Sequence, residues 1–504
     1  MKRFITLLML GSMLSFNYIS AQTAVWGQLG SDIDGVAADD RSGYSTSING
    51  DGTIVAIGAP GNDGNGGSSG SVTIYHYDDS SWQQSGNTIY GDSGDKSGYS
   101  VSLSDDGKIV AIGAISNGGG GWQKGTVRIY QYDNNSSTWS QLGSNINGES
   151  GNDLSGNSVC LSSDGMVVAI GADNNDGNDG NYYNSGHVRI FKYLSNAWQQ
   201  IGTEIDGDAP ENYFGTSVSL SDDGTVLAVG AIKHDDNAND AGQVKIFKYD
   251  GAIWKQMGAD IYGKNTYEYA GTSVSLSSDG NTVAIGAPRT GSQFKGQVYI
   301  YKYDGSAWSQ LGNDIVGETN SDANGQSVSI SSDGSIVAIG APQDPGGDNN
   351  NGRAYVYKFN VSTSGWELIA DVINGEASND LSGSSVCISN NGSAVAIGAP
   401  YNDGGNNTNS GHVRVFELTT TTRVEKVNQN DILIYPNPTT GVLNIRSKEN
   451  IKQIIISNIT GKTILTNSNV NQTTPIDLSG IKNGIYIITI KTDSGIINKK
   501  LIKN

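Results

Sequence analysis

At 504 residues the chain exceeds what one hydrophobic core usually organises, so it holds several domains or an array of repeats. Only 16% of residues are charged and 69 are Gly, a balance that suits short strands joined by tight turns rather than helices. The net charge of −19 divides into +2 over residues 1–21, +5 over 431–504 and −26 between them, which argues against nucleic acid or anionic lipid as a partner of the main body.

At the N-terminus, Lys2-Arg3, the apolar run 4–14 and Ile19-Ser20-Ala21 make a signal peptide over 1–21, with maturation expected near Gln22. No later run reaches the ~20 apolar residues of a membrane helix, so no membrane-spanning segment is expected.

From there one phrase recurs seven times: an alternating strand, a turn, then Val-Ala-Ile-Gly-Ala or a close variant. The turns are Asp51-Gly52, Asp106-Gly107, Asp164-Gly165, Asp223-Gly224, Asp279-Gly280, Asp333-Gly334 and Asn391-Gly392. The Gly-Ala pairs begin at Gly58, Gly113, Gly171, Gly230, Gly286, Gly340 and Gly398, 54 to 59 residues apart. Asp-Gly between alternating runs signals a hairpin. In the second unit, strands are expected over 100–104, 109–114, 126–132 and 139–146. Four short antiparallel strands repeated seven times describe an all-β, seven-bladed β-propeller over 22–418. The Trp-bearing fourth strand recurs at Trp26, Trp82, Trp139, Trp198, Trp254, Trp308 and Trp366. Since Trp26 precedes the first hairpin and none follows the last, 25–33 is expected to complete the final blade and close the ring. Trp at a fixed place in every unit reads as interblade packing.

These units resemble FG-GAP repeats, the kind found in integrin α-chain propellers and bacterial surface proteins. Phe214-Gly215 supplies a literal Phe-Gly, Tyr44, Tyr99 and Tyr269 are nearby aromatics elsewhere, and Gly-Ala-Pro begins at Gly58, Gly286, Gly340 and Gly398. The resemblance implies the fold and says little of function. Calcium-binding members carry Asp-x-Asp-x-Asp-Gly between these elements. Here a Ser-x-Asp-Gly hairpin takes its place, too poor in oxygens for Ca²⁺, so that site is not carried over.

Residues 419–430 are Thr-rich and polar, a linker. Composition then turns Ile- and Lys-rich over 431–504. Pro436-Asn437-Pro438 with Gly441, then Gly484-x-Tyr486, then Lys500-Leu501-x-Lys503 resemble the type A C-terminal sorting domain of the type IX secretion system. That resemblance implies a small immunoglobulin-like β-sandwich, engagement of the secretion machinery, passage across the outer membrane, and removal of the tag as the body joins the cell surface.

In a propeller, the second-to-third-strand loops and the links between blades share one face. Here that face receives the long loops and many link carboxylates, including Asp39, Asp40, Asp92, Asp95, Glu149, Asp153, Asp208, Glu211, Glu268, Glu318, Asp322, Glu376 and Asp380. Ca²⁺ is the one cofactor the sequence suggests. Its candidate ligands are Asp173, Asn175, Asp176 and Asp179, where Asn175-x-Gly177-x-Asp179-Gly180 copies calcium-loop spacing without the middle ligand. Ordinary turn chemistry accounts for the same residues. Trp122, Tyr182, Tyr183, Tyr267 and Tyr269 are candidate anchors for a glycan or protein ligand. Cys160 and Cys387 occupy a first-strand position held elsewhere by Ser, in non-adjacent units, so no disulfide is expected. His187 and His412 precede third strands in equivalent places, as repeat history alone would give. No unit carries a catalytic constellation, so a surface binding or adhesion protein is expected rather than an enzyme. The alternatives are a propeller glycosidase or lyase and a purely structural surface component.

Overall fold

The computed structural model describes residues 22–117, 123–177, 183–290, 294–343, 350–404, 407–422, 432–448, 450–468, 473–492 and 496–504. The predicted signal peptide and Trp122, Asp179 and Tyr182 lie outside these residues. The described chain is all-β, and no helix in it is long and apolar enough to cross a membrane. It divides into two compact units, one spanning Ala24–Thr419 and one containing Thr420–Asn504.

Each recurring phrase folds as a hairpin for a local reason. In the second sheet, Asp106 Oδ1 accepts the Lys108 N–H, and the Ser104 hydroxyl donates to Asp106 while accepting the Ile109 N–H at 2.9 Å. The strand that follows, Ile109–Ala114, is buried at every residue, as a β-branched and small-residue run at the centre of a sheet should be. Thr126–Asp133 is buried in its first half and alternates with solvent in its second, so each sheet runs from interior to rim.

The main unit contains seven sheets of five strands, not four. The expected fourth strand 139–146 splits into Thr138–Gln141 and Ile146–Asn147, both paired with Thr126–Asp133. The break falls at Gly143, whose φ is +76°. A Cβ there would stand 2.8 Å from Trp198 Cδ1 of the next sheet. The following Trp therefore occupies the gap.

The seventh sheet is built from Ser385–Ile388, Ala394–Ala399 and His412–Thr422 together with the N-terminal strands Gln22–Gln28 and Ile33–Asp34, the closure expected from the Trp offset. The link continues sheet to sheet around a closed cycle. Backbone N–H groups of Gly50, Asp105, Ser163, Asp222, Ser278, Ser332 and Asn390 each donate to the next residue of that series, and Asn390 donates back to Gly50 at 2.9 Å. Hydroxyls of Ser45, Ser100, Ser158, Ser217, Ser273, Ser327 and Ser385 donate to Gly carbonyls of the following sheet at 2.7–2.9 Å. Apolar clusters straddle consecutive sheets, the last joining Ile33, Val413 and Val415 to Val55 and Ile57. This is the arrangement of a β-propeller.

The recurring Trp residues tie each sheet to the one before it. Indole N–H groups of Trp82, Trp139, Trp198, Trp254, Trp308 and Trp366 donate to a carbonyl of the preceding sheet at 2.7–3.1 Å. Cys160 and Cys387 are free. Cys160 Sγ accepts the Leu220 N–H at 3.3 Å, as the hydroxyls of Ser47 and Ser102 accept Leu103 and Leu161. The sulfur stands in for a hydroxyl.

The predicted linker begins later than expected, since the last strand of the seventh sheet continues to Thr422; residues 423–431 lie outside the description. The C-terminal unit pairs a three-stranded sheet (Ile432–Tyr435, Val442–Ser447, Thr473–Asp477) with a four-stranded one (Thr463–Asn467, Ile451–Asn458, Gly484–Thr492, Ile496–Lys503). Both contribute to one core, including Leu443, Ile445, Ile454, Ile456, Ile488 and Ile490.

Candidate functional site

The link carboxylates form a ring on the looped face, and the structure buries about half of them. Asp40, Asp95, Asp153, Glu268, Asp322 and Asp380 are all under 5% exposed, with Asn212 holding the equivalent place in the fourth link. Their carboxylates fold back on the link itself: Asp40 Oδ2 accepts the Ala37 N–H, Asp95 Oδ2 that of Asp92, and Asp380 Oδ2 that of Ala377, at 2.9–3.0 Å. The second-to-third-strand loop adds a further donor. Asn62, Asn117 and Asn402 each donate through Nδ2 to the acid 22 residues earlier. The residue after each acid or after Asn212 (41, 96, 154, 213, 269, 323 and 381) has φ between 53° and 56°, a left-handed turn taken even by Leu154 and Leu381. Half the acidic ring thus shapes backbone. The exposed remainder, including Asp92, Glu149, Asp208, Glu318 and Glu376, has side chains 42–80% accessible.

Each link enters beside the third strand of the following sheet, which creates seven equivalent slots with different contents. In the first, Ser71, Thr73 and Thr88 are small, and a cleft of about 320 Å³ opens between Asp34, Asp40, Asn62, Asp63, Tyr75 and Tyr90. In the second, Arg128 fills the slot and pairs with Asp95 at 2.9 Å. In the fourth, Lys245 Nζ lies 2.6 Å from Asp208 and 3.8 Å from Asp260. Hydrogen bonds from His234 and Lys245 hold the Asp208 carboxyl far below its usual range despite partial burial. In the fifth, Tyr299 donates to Glu268 at 2.7 Å, and burial followed by that carboxylate raises the phenol. In the third and seventh, a His and an Arg face two carboxylates. His187 Nδ1 is 3.9 Å from Glu149 and 4.0 Å from Glu204, and His412 Nδ1 is 3.9 Å from Asp32. Burial, helped by Arg189, pushes His187 down to about 3, so the ring is neutral.

The predicted calcium loop is only partly visible, since Asp179 lies outside the described residues. Asn175 Oδ1 accepts the Gly177 N–H at 2.8 Å and Asp176 Oδ1 the Asn184 N–H at 2.9 Å, so both oxygens are engaged in turns. Asp173 sits apart. It occupies the place of Pro60, Ile115, Ile232, Pro288, Pro342 and Pro400 in the other repeats. Its Oδ1 is enclosed without a partner, and burial raises its carboxyl to about 6. Of the predicted aromatic anchors, Tyr183 and Tyr267 are 61% and 49% exposed. Tyr269 is half-buried under the Arg289 guanidinium, 4.9 Å from its ring centre.

In the C-terminal unit the expected motif residues act together on the last strand. The Asn437 side chain donates to Lys500 O at 2.7 Å and accepts the Ile502 N–H at 2.9 Å, as a strand residue would. Pro436 and Pro438, on either side of it, both follow cis peptide bonds. Leu501 is 1% exposed in the core, Tyr486 donates to Lys482 O at 2.7 Å, and Lys503 is buried with its amino group near Asn483. Lys500 points to solvent, and Gly441 has open space around it.

A family model for the FG-GAP repeat matches residues 203–247 and 318–357. A model for a secretion system C-terminal sorting domain matches residues 433–504. The chain carries FG-GAP repeats and a sorting domain. The sorting domain marks the protein for the type IX secretion machinery and for export across the outer membrane, to the cell surface or extracellular space. Among solved structures, the chain is similar to a candidate 6-phosphogluconolactonase from Bacteroides uniformis ATCC 8492 at 14% identity, over 66% of this chain and 86% of that one, with a TM-score of 0.46. A search of curated proteins gives no match.

The FG-GAP glycines have a shared physical cause. In every unit a Cβ on the Gly of the Gly-Ala pair would stand 2.0–2.2 Å from the carbonyl oxygen of a Gly in the next sheet. Backbones of adjacent sheets touch there, and no side chain fits. The slots beside these contacts were not foreseen in the sequence, although the constant spacing of 22 between acid and Asn, and His-x-Arg at 187–189 and 412–414, would have marked them.

Proposed function

We propose that the seven sheets are the blades of one closed seven-bladed β-propeller, that the tail is an immunoglobulin-like sandwich, and that the propeller is a non-enzymatic adhesion module displayed at the cell surface. One observation carries the reading. The large aromatic side chains exposed in the described propeller unit, Tyr90, Tyr183, Tyr267 and Phe294, are 46–61% accessible. All four lie on second-to-third-strand loops, or on the links and the short strands leading into them, and so on one face. Rigid aromatics among Asn, Asp and Gly on a fixed scaffold suit the recognition of a surface glycan or protein. The cleft between Asp34, Asp63 and Tyr90 offers carboxylates beside an aromatic wall, which suits sugar hydroxyls. Ca²⁺ binding at the 173–180 loop would have to displace the turn hydrogen bonds at Asn175 and Asp176.

The test is adherence of cells displaying the protein to immobilised polysaccharides and extracellular proteins. Replacement of Tyr90, Tyr183, Tyr267 and Phe294 together by Ser should lower adherence at least tenfold at unchanged surface level. Adherence equal to that of the unaltered protein would refute the reading, and turnover of a polysaccharide by the purified chain would replace it with an enzymatic one.

A further inference from the structure

We propose that the slots of the third and seventh sheets each bind one divalent transition-metal ion of the zinc class, through Glu149, His187 and Glu204 in the one and Asp32, Glu376 and His412 in the other.

In both slots one ligand atom from each of the three residues lies within 4.8 Å of the others. In the third slot the separations of 3.9 and 4.0 Å between imidazole and carboxylates are too long for hydrogen bonds. They put a common centre roughly 2.0–2.5 Å from all three donors, which brackets the ~2.0–2.2 Å of zinc–nitrogen and zinc–oxygen bonds.

The imidazoles are buried without hydrogen-bond partners among the described residues. His187 and His412 are each 1% exposed, and their Nε2 atoms are enclosed without a partner. Burying an imidazole that makes no hydrogen bond is costly. In each slot the other nitrogen, Nδ1, faces carboxylates at 3.9–4.0 Å, beyond hydrogen-bond reach, and an ion held there would give the buried ring a bond on that side.

The molecule supplies its own comparison. In the fourth slot the two equivalent carboxylates, Asp208 and Asp260, converge on a cation from the chain itself, Lys245 Nζ. In the fifth, Lys264 Nζ reaches Asp314 at 2.7 Å. The third and seventh slots keep the carboxylates but present an imidazole. Their arginines stand to the side: Arg189 Nη1 is 3.4 Å from Glu149 Oε1 and its Nη2 donates to Asn147 O at 2.7 Å, leaving Oε2 turned to His187. Arg414 repeats this with Glu376 and Asn374. Such a partner orients a ligating carboxylate. One nitrogen and two oxygens suit zinc-class ions, whereas Ca²⁺ takes six to eight oxygens. Glu149 and Glu376 are nearly half exposed, which leaves an entry path from solvent.

The experiment is equilibrium dialysis of the EDTA-stripped full chain against Zn²⁺, with Co²⁺ absorption as a second readout. Two ions per chain are expected, one after His187→Gln or His412→Gln, and none after both. Gln is the native residue at the equivalent positions 243 and 297, so the fold should tolerate it. Glu204→Gln, which keeps His187, should weaken the third-slot ion at least tenfold and serves if a His variant misfolds. Stoichiometry unchanged in the double variant, absence of binding at micromolar Zn²⁺, or displacement of Co²⁺ by equimolar Ca²⁺ would each overturn the proposal.

Discussion

Replacing Gly340 by Ala tests the idea that backbone contact between neighbouring sheets sets the repeat. The new Cβ would lie 2.0 Å from Gly383 O and 2.3 Å from Ser327 Oγ. The hydroxyl could rotate, but the carbonyl is held in place: Gly383 O accepts the Ser327 hydroxyl at 2.9 Å, and the Gly383 N–H is tied to Gly398 O of its own sheet at 3.0 Å. Relief to ordinary contact distance needs more than ~1 Å of separation, which breaks the Ser327–Gly383 bond between the sheets. One hydrogen bond at ~0.5–1.5 kcal/mol and an overpacking cost of ~1–3 kcal/mol give a loss of roughly 1.5–4.5 kcal/mol. The control is Gly67→Ala, where nothing lies within 4 Å, expected to change stability by under ~0.5 kcal/mol. All eight Trp residues precede position 367. Trp fluorescence during urea unfolding of the full chain therefore reports the propeller unit alone. A Gly340→Ala loss within 1 kcal/mol of the control would refute the argument.

Trp308→Phe should cost about 1–2 kcal/mol in the same assay, because the Met257 carbonyl loses the indole N–H that reaches it at 2.7 Å. Cys160→Ser should be neutral within ~0.5 kcal/mol, since a hydroxyl can accept the Leu220 N–H, whereas Cys160→Val should lose about 1–3 kcal/mol by orphaning it. Asp173 supplies the pH test. Its folded value of about 6 lies above the unfolded value of 3.8, so the folded state holds the extra proton between them. That contribution is complete below about pH 4 and lost as pH rises through 6. Asp173→Asn should therefore gain roughly 2–3 kcal/mol over the parent at pH 7.5 and little at pH 4. A gain independent of pH would show that the carboxyl titrates normally.

What the sequence shows here follows from what repeats. The hairpins, the Gly-Ala contacts and the Trp positions recur in every unit because each unit meets its neighbour identically. The offset of Trp26 even revealed how the ring closes. The fifth strand was hidden because the break at Gly143 depends on Trp198 of the next sheet, a contact no single unit contains. Which link acids are buried was not legible, because spacing says nothing about which way a carboxylate turns. Asp40 and Asp92 look alike in sequence, yet one is enclosed by its own link and the other is 80% exposed.

The slots show how one scaffold can carry different chemistry without altering its frame. The backbone ring, the Ser–Gly bonds and the indole–carbonyl bonds that join adjacent sheets use none of the side chains at the positions equivalent to 187, 189 and 204. Those positions hold Ser71, Thr73 and Thr88 in one sheet, Gln243, Lys245 and Asp260 in another, and His187, Arg189 and Glu204 in a third. An open cleft, a lysine bridged by two carboxylates, and an imidazole facing two carboxylates are thus alternatives at a single structural address. Substitution there should leave the ring intact while changing what its looped face can bind, so differences in recognition should concentrate in these slots and the exposed loops above them.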